Sequence, residues 1–277
     1  MKKFAIVAPI ISILVGIVGF LLRTHELTYV FDPVTGLPSR GALTTTVLIA
    51  FTLANLLVAL IFGICIFRKR KSPKGFDNAF GVDPMFYPII FVAIGIVWLV
   101  GTFLLFQYQR SIGELALTDT IYLVLSVLAA ICATFFAIEM FQDFRRKALY
   151  ALSLVPAVFL CFWLIVLYNQ NATNPILLSF VYQCLAIIFA SLAFYFTSGF
   201  IYNKSAPGRA VASYYLSILF SSITLADDIH IGQKLIFGAI IGASLVHLSV
   251  ILWNLEQKKP TKLDAKIISE QIVDNLL

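Results

Sequence analysis

The chain has 277 residues, 60% hydrophobic and 12% charged, with a formal net charge of +6; an ordinary soluble domain is roughly 45–50% apolar and about 25% charged. That excess of apolar side chains excludes a water-soluble globular fold, and a mean hydropathy of +0.95 makes lipid the solvent for most of the chain. No internal stretch is polar and long enough for a separate soluble domain, so residues 1–257 read as one transmembrane helical domain and 258–277 as a cytoplasmic amphipathic tail.

A helical span needs roughly 20 apolar residues. Eight segments approach that length: Phe4–Leu22, Ala42–Phe67, Met85–Phe106, Thr120–Phe141, Ala148–Tyr168, Ile176–Ile201, Ala210–Ala226 and Leu235–Leu255. Backbone groups in lipid must be satisfied within the segment, and these runs exceed the ~9–11 residues of a barrel strand, so each is a helix. The expected fold is all-α: a polytopic membrane protein with eight transmembrane helices.

In the first segment, Lys2 and Lys3 precede 19 apolar residues. That run is longer than the ~7–15 of a signal peptide, and no small-x-small cleavage pattern follows before Arg23, so an uncleaved helix is expected. The loop after it, FDPVTGLPSR (Phe31–Arg40), has Pro33 and Gly36 where a type I turn and a left-handed residue would reverse the chain. Pro9, Pro88 and Pro156 fall within segments, each as a kink or a first-turn residue. Thr118 and Asp119 can cap the fourth helix, and Asn174 before Pro175 the sixth. The seventh segment is short and carries Ser213, Ser217, Ser221, Ser222 and Thr224.

The Lys and Arg residues orient the bundle. With the N-terminus in the cytoplasm and eight alternating spans, the inner segments hold 16 of the 20 Lys and Arg. Only Arg23, Arg40, Arg110 and Lys234 fall in outer loops, a strong positive-inside bias. Both termini are therefore expected in the cytoplasm, in the cell (inner or plasma) membrane. Topology accounts for the basic residues, so no nucleic-acid partner is expected. Alternation also lets the chain be read as four like-oriented helical hairpins, although alternation alone would produce much of that likeness.

Ionisable groups deep in lipid are expensive and therefore functional candidates. His247 alone falls near a predicted midplane; Glu139 sits close to Arg145 and Arg146, where pairing can relieve it. With Asn55, Gln183, Ser217 and Ser221, His247 forms the candidate ligand-binding set. The serines recur at helical spacing on one face, which suits a polar pathway or interhelical hydrogen bonding alike. Asp227, Asp228 and His230 form an outer-surface polar cluster, able to hold a cation or simply to solvate a turn. The four cysteines lie within spans and imply neither disulfides nor metal. No catalytic motif is present, so neither an enzyme nor a cofactor is expected.

Besides the bilayer, a partner protein or second copy is expected to meet the chain at one of two places. One is the small-xxx-small pair Gly238 and Gly242. The other is the tail, where Ile268, Ile272, Val273 and Leu276 share one helical side. The functional expectation is a permease-like or small-molecule-binding membrane domain; the alternative is a non-transporting sensor, scaffold or accessory subunit.

Asp32, Thr35, Gly36, Leu37, Pro38 and Arg40 resemble the run that opens diguanylate cyclase domains. That likeness is a chance match, since the chain contains no Gly-Gly pair for the nucleotide-cradling turn and an apolar helix follows Arg40. More broadly, Phe31, Asp32, Pro33, Thr35, Gly36 and Leu37 make the chain similar to uncharacterised multi-pass membrane proteins of anaerobic bacteria with an F-D-P-x-T-G-L outer loop. That resemblance implies no activity.

Overall fold

The computed structural model describes residues 2–32, 39, 41–69, 73, 75–82, 86–113, 116–141, 152–173, 176, 178 and 180–255. It is all-α. The helices are α1 (Lys2–Tyr29), α2 (Leu43–Lys69), α3 (Phe76–Phe80), α4 (Phe86–Ile112), α5 (Leu117–Phe141), α6 (Val155–Gln170), α7 (Val181–Ile201), α8 (Pro207–Thr224) and α9 (Ile231–Asn254). Among the described residues six are long and apolar enough to cross a membrane: α1, α2, α4, α5, α7 and α9. The protein is thus a multi-pass membrane protein. Helix α6 is apolar but has only 16 residues.

Helix α8 is the least apolar of the long helices for a physical reason: it meets protein on nearly all sides. It packs against α7, α9, α1 and α2, and most of its side chains, serines included, are buried. Lipid demands apolar side chains, whereas a helix inside a bundle can carry hydroxyls that bond to neighbours. Around it, α4, α5, α6, α7, α8 and α9 each touch the next, and α9 returns to α4, closing a ring of six. Helices α1 and α2 lie outside this ring, against α8.

Aromatic side chains fill the ring. Trp98 of α4 lies 5.8 Å from Phe159 and 6.2 Å from Phe194, and Trp163 lies 4.8 Å from Phe237, centroid to centroid. Trp98 Nε1 donates to Ser126 Oγ at 3.1 Å, which satisfies the indole in the dry interior. The short helix α3, between α2 and α4, stops one mouth of the ring. Its Phe80 is fully buried, edge-on to Phe200 at 5.3 Å. Asn254 Nδ2 pins the segment by donating to Ala79 O and Gly81 O, both at 3.0 Å.

Two close crossings depend on glycine. At Gly63 of α2 an added Cβ would meet Gly208 O of α8 at 2.8 Å; at Gly101 of α4 it would meet Gly232 O of α9 at 2.7 Å. The expected small-xxx-small pair is used differently. Gly242 faces Ile94, while a Cβ on Gly238 would meet open space.

Several expected boundaries move. Helix α1 runs seven residues past Leu22, to Tyr29. Helix α7 begins at Val181 rather than Ile176, and α6 at Val155, with Pro156 in its first turn. Asp119 lies inside the first turn of α5. The turn 33–38, the Asn174–Pro175 cap, the side chain of Glu139 and the tail beyond Leu255 lie outside the described residues. Ser39 N donates to Val30 O at 2.9 Å, so the chain does double back across that loop.

Candidate functional site

The extension of α1 relocates a charge that the sequence reading had placed in an outer loop. Arg23 and Glu26, three residues apart, lie on one helical face and both are 0% exposed. Arg23 Nη1 donates to Glu26 Oε2 at 2.7 Å and its Nε to Asp227 Oδ1 at 2.8 Å. Its Nη2 donates to Leu178 O at 3.0 Å. Tyr182 places its ring 5.0 Å below the guanidinium, a cation–π contact. Gln183 Nε2 donates to Asp227 Oδ2 at 3.4 Å. One arginine thus joins α1, the start of α7 and the α8–α9 turn.

The cluster holds one cation and two carboxylates. Asp227 is only 3% exposed, and burial pushes its carboxyl above the ordinary carboxylate range, against the opposing pull of Arg23. Glu26 Oε1 is buried and has no hydrogen-bond partner among the described residues. These contacts make the cluster a lock between helices with one unsatisfied oxygen.

The expected polar cluster Asp227, Asp228 and His230 is divided. Asp227 turns inward to Arg23, and Asp228 is exposed. His230 caps α9, its Nδ1 accepting from Gly232 N at 3.0 Å, and stacks on Tyr108 at 4.4 Å. Among the described residues no three His, Cys, Asp or Glu side chains come together as a metal site.

The candidate set Asn55, Gln183, Ser217, Ser221 and His247 is spread along the bundle rather than gathered. Asn55 accepts a hydrogen bond from Tyr215 OH, tying α2 to α8. Ser217 Oγ accepts from Ser244 Oγ at 3.1 Å, tying α8 to α9. Ser221 is fully buried, and Gln183 belongs to the Arg23 cluster. His247 is 1% exposed within a cage of rings: Phe91 at 4.8 Å, Phe80 at 5.1 Å, Tyr214 at 5.5 Å and Phe194 at 6.3 Å. Aromatic carbon fills the space around its imidazole.

Space exists instead on the flank. A groove of about 520 Å3 runs between α2, α7 and α8, toward the end where α9 finishes. Leu60, Ile64 and Phe67 of α2 face Phe189 and Phe196 of α7 across a floor formed by α8. The Gly63–Gly208 crossing forms part of its wall. Its polar side chains are Ser205, before α8, with Arg209 and Ser213 of α8; Ser213 is 5% exposed, and the Arg209 guanidinium lies 5.9 Å from the Phe196 ring. A smaller space of about 160 Å3 lies between α1 and α8 beside Gly16.

No protein-family model matches the chain, and neither a curated protein nor a solved structure matches it. The functional argument therefore rests on the geometry.

Sequence reading missed Arg23, Glu26 and the groove. The acid–base pair at i and i+3, directly after an apolar run, signalled the first. The groove had only a weaker signal, two isolated glycines far apart in sequence.

Proposed function

We propose that the chain is an eight-span plasma-membrane protein, with both termini cytoplasmic and no catalytic activity, that binds a small apolar or amphipathic molecule entering sideways from the lipid phase. It belongs with permease-like and small-molecule-binding membrane proteins in being built around a ligand. The observation that carries this reading is the groove between α2, α7 and α8. Its volume of about 520 Å3 falls in the roughly 300–1,000 Å3 range of ligand sites, with apolar walls and few polar groups. The positive-inside bias supports this topology, in which the groove lies in the cytoplasmic half.

The experiment is extraction in mild detergent followed by mass spectrometry of co-purified small molecules. Wild-type protein retains an amphipathic molecule that Leu60→Trp, which fills the groove from an exposed position, releases. A chain carrying nothing, or carrying it equally in both forms, contradicts the reading.

One observation favours a second reading, a non-transporting sensor, scaffold or accessory subunit: the packed aromatic ring leaves little room for a path through the bundle. In that case a stoichiometric partner protein co-purifies and is lost when residues 261–277 are deleted.

A further inference from the structure

Resting on the groove reading, we infer that the occupant is a bilayer phospholipid with an anionic headgroup: the headgroup at Arg209, the acyl chain along the α2–α7 walls. The groove has an apolar run and a cationic end. The run is Leu60, Ile64 and Phe67 against Phe189 and Phe196, surfaces suited to hydrocarbon. The end carries Arg209, with exposed Arg68 next to Phe67 and exposed Lys204 on the approach to α8.

Among the described residues none of these three is paired with a carboxylate: both ion pairs there belong to Arg23, near the opposite end of the bundle. Unpaired cations beside an apolar slot complement a molecule with a negative head and an apolar tail. Arginine suits a phosphate because its planar fork donates two parallel hydrogen bonds. The Arg209 guanidinium lies 5.9 Å over the Phe196 ring, a cation–π contact that keeps the fork beside the groove.

The chain's own tail is a poorer occupant. It carries Lys258, Lys259, Lys262 and Lys266 against Asp264, Glu270 and Asp274, so its charges nearly cancel and the lysines at its start bring like charge to Arg209.

The test is native mass spectrometry of the full chain released from nanodiscs of phosphatidylglycerol or of phosphatidylcholine. The wild type should keep one phosphatidylglycerol and no phosphatidylcholine. Arg209→Gln, at an exposed position, should lower that retention about tenfold, the effect of one charge-assisted hydrogen bond, while leaving the melting temperature unchanged. Leu60→Trp should abolish it.

Equal retention of both lipids, lost in Leu60→Trp but not in Arg209→Gln, would overturn the headgroup assignment and leave the groove reading standing. Retention unaffected by Leu60→Trp would overturn both. A gain in retained lipid on deleting 261–277 would make the groove the tail's own seat and overturn the inference.

Discussion

Replacing Arg23 by Met tests the buried cluster most severely. The substitution keeps apolar bulk but removes hydrogen bonds of 2.8 Å to Asp227, 2.7 Å to Glu26 and 3.0 Å to Leu178 O. It leaves two carboxylates at 0% and 3% exposure with no counter-charge. Breaking a buried pair from one side costs about 3–5 kcal/mol, mostly from the stranded charge. Neutralising the strays should therefore recover much of the loss, and Arg23→Met/Glu26→Gln/Asp227→Asn is expected to regain at least half of it. Asp227→Asn alone should be mild, because Arg23 keeps Glu26 and a desolvated carboxylate is removed. The assay is reversible unfolding in mixed micelles as denaturing detergent is increased, followed by tryptophan fluorescence and far-UV circular dichroism. If Arg23→Met unfolds within about 0.5 kcal/mol of wild type, the behaviour of a surface substitution, the cluster is not a buried lock and the argument fails.

The remaining predictions use the same unfolding assay unless stated. Burial raises the folded-state carboxyl of Asp227 above its ordinary 3.8, so its contribution is fully present below that value and is lost as pH rises through the raised one. The wild type should gain stability over Asp227→Asn as pH falls through that window, and a constant difference would refute the assignment. Gly63→Ala and Gly101→Ala, each facing a partner backbone oxygen at 2.8 Å and 2.7 Å, should cost about 1–3 kcal/mol from overpacking. Gly238→Ala, facing open space, should be neutral or gain up to about 1 kcal/mol from helix propensity. Phe80→Ala should cost about 3–5 kcal/mol and loosen α3 over His247, read as faster amide exchange in residues 76–82. In a cysteine-free background, Asp228→Cys and Ala172→Cys should react with an impermeant maleimide on intact cells, and Lys204→Cys only after permeabilisation; the reverse pattern would invert the topology.

What the sequence disclosed follows from which forces are local. Each of the eight apolar segments contains a helix, because backbone groups away from water must be satisfied within the segment. Helix α3 was hidden because five residues cannot hold a helix alone; it exists because Phe80 finds Phe200 and Asn254 finds two carbonyls, contacts distant in sequence. The end of α1 was misread for a related reason. Hydropathy stops at the first charge, but a helix continues past Arg23 when the counter-charge comes from a residue 204 positions away. Ser217 bonds to Ser244 between α8 and α9, one of the two uses its helical spacing suits. His247 was singled out by its charge-bearing ring in an apolar run, but the side chains that would decide between cavity and core come from α3, α4, α7 and α8.

The most direct measurement of the central claim is a cryo-electron microscopy map of the full chain in phosphatidylglycerol nanodiscs. Elongated non-protein density is expected between Leu60 and Phe196, ending in a compact headgroup feature within hydrogen-bonding reach of Arg209. Side chains closing the space between α2 and α7, or an empty groove with lipid density around His247 instead, would contradict it.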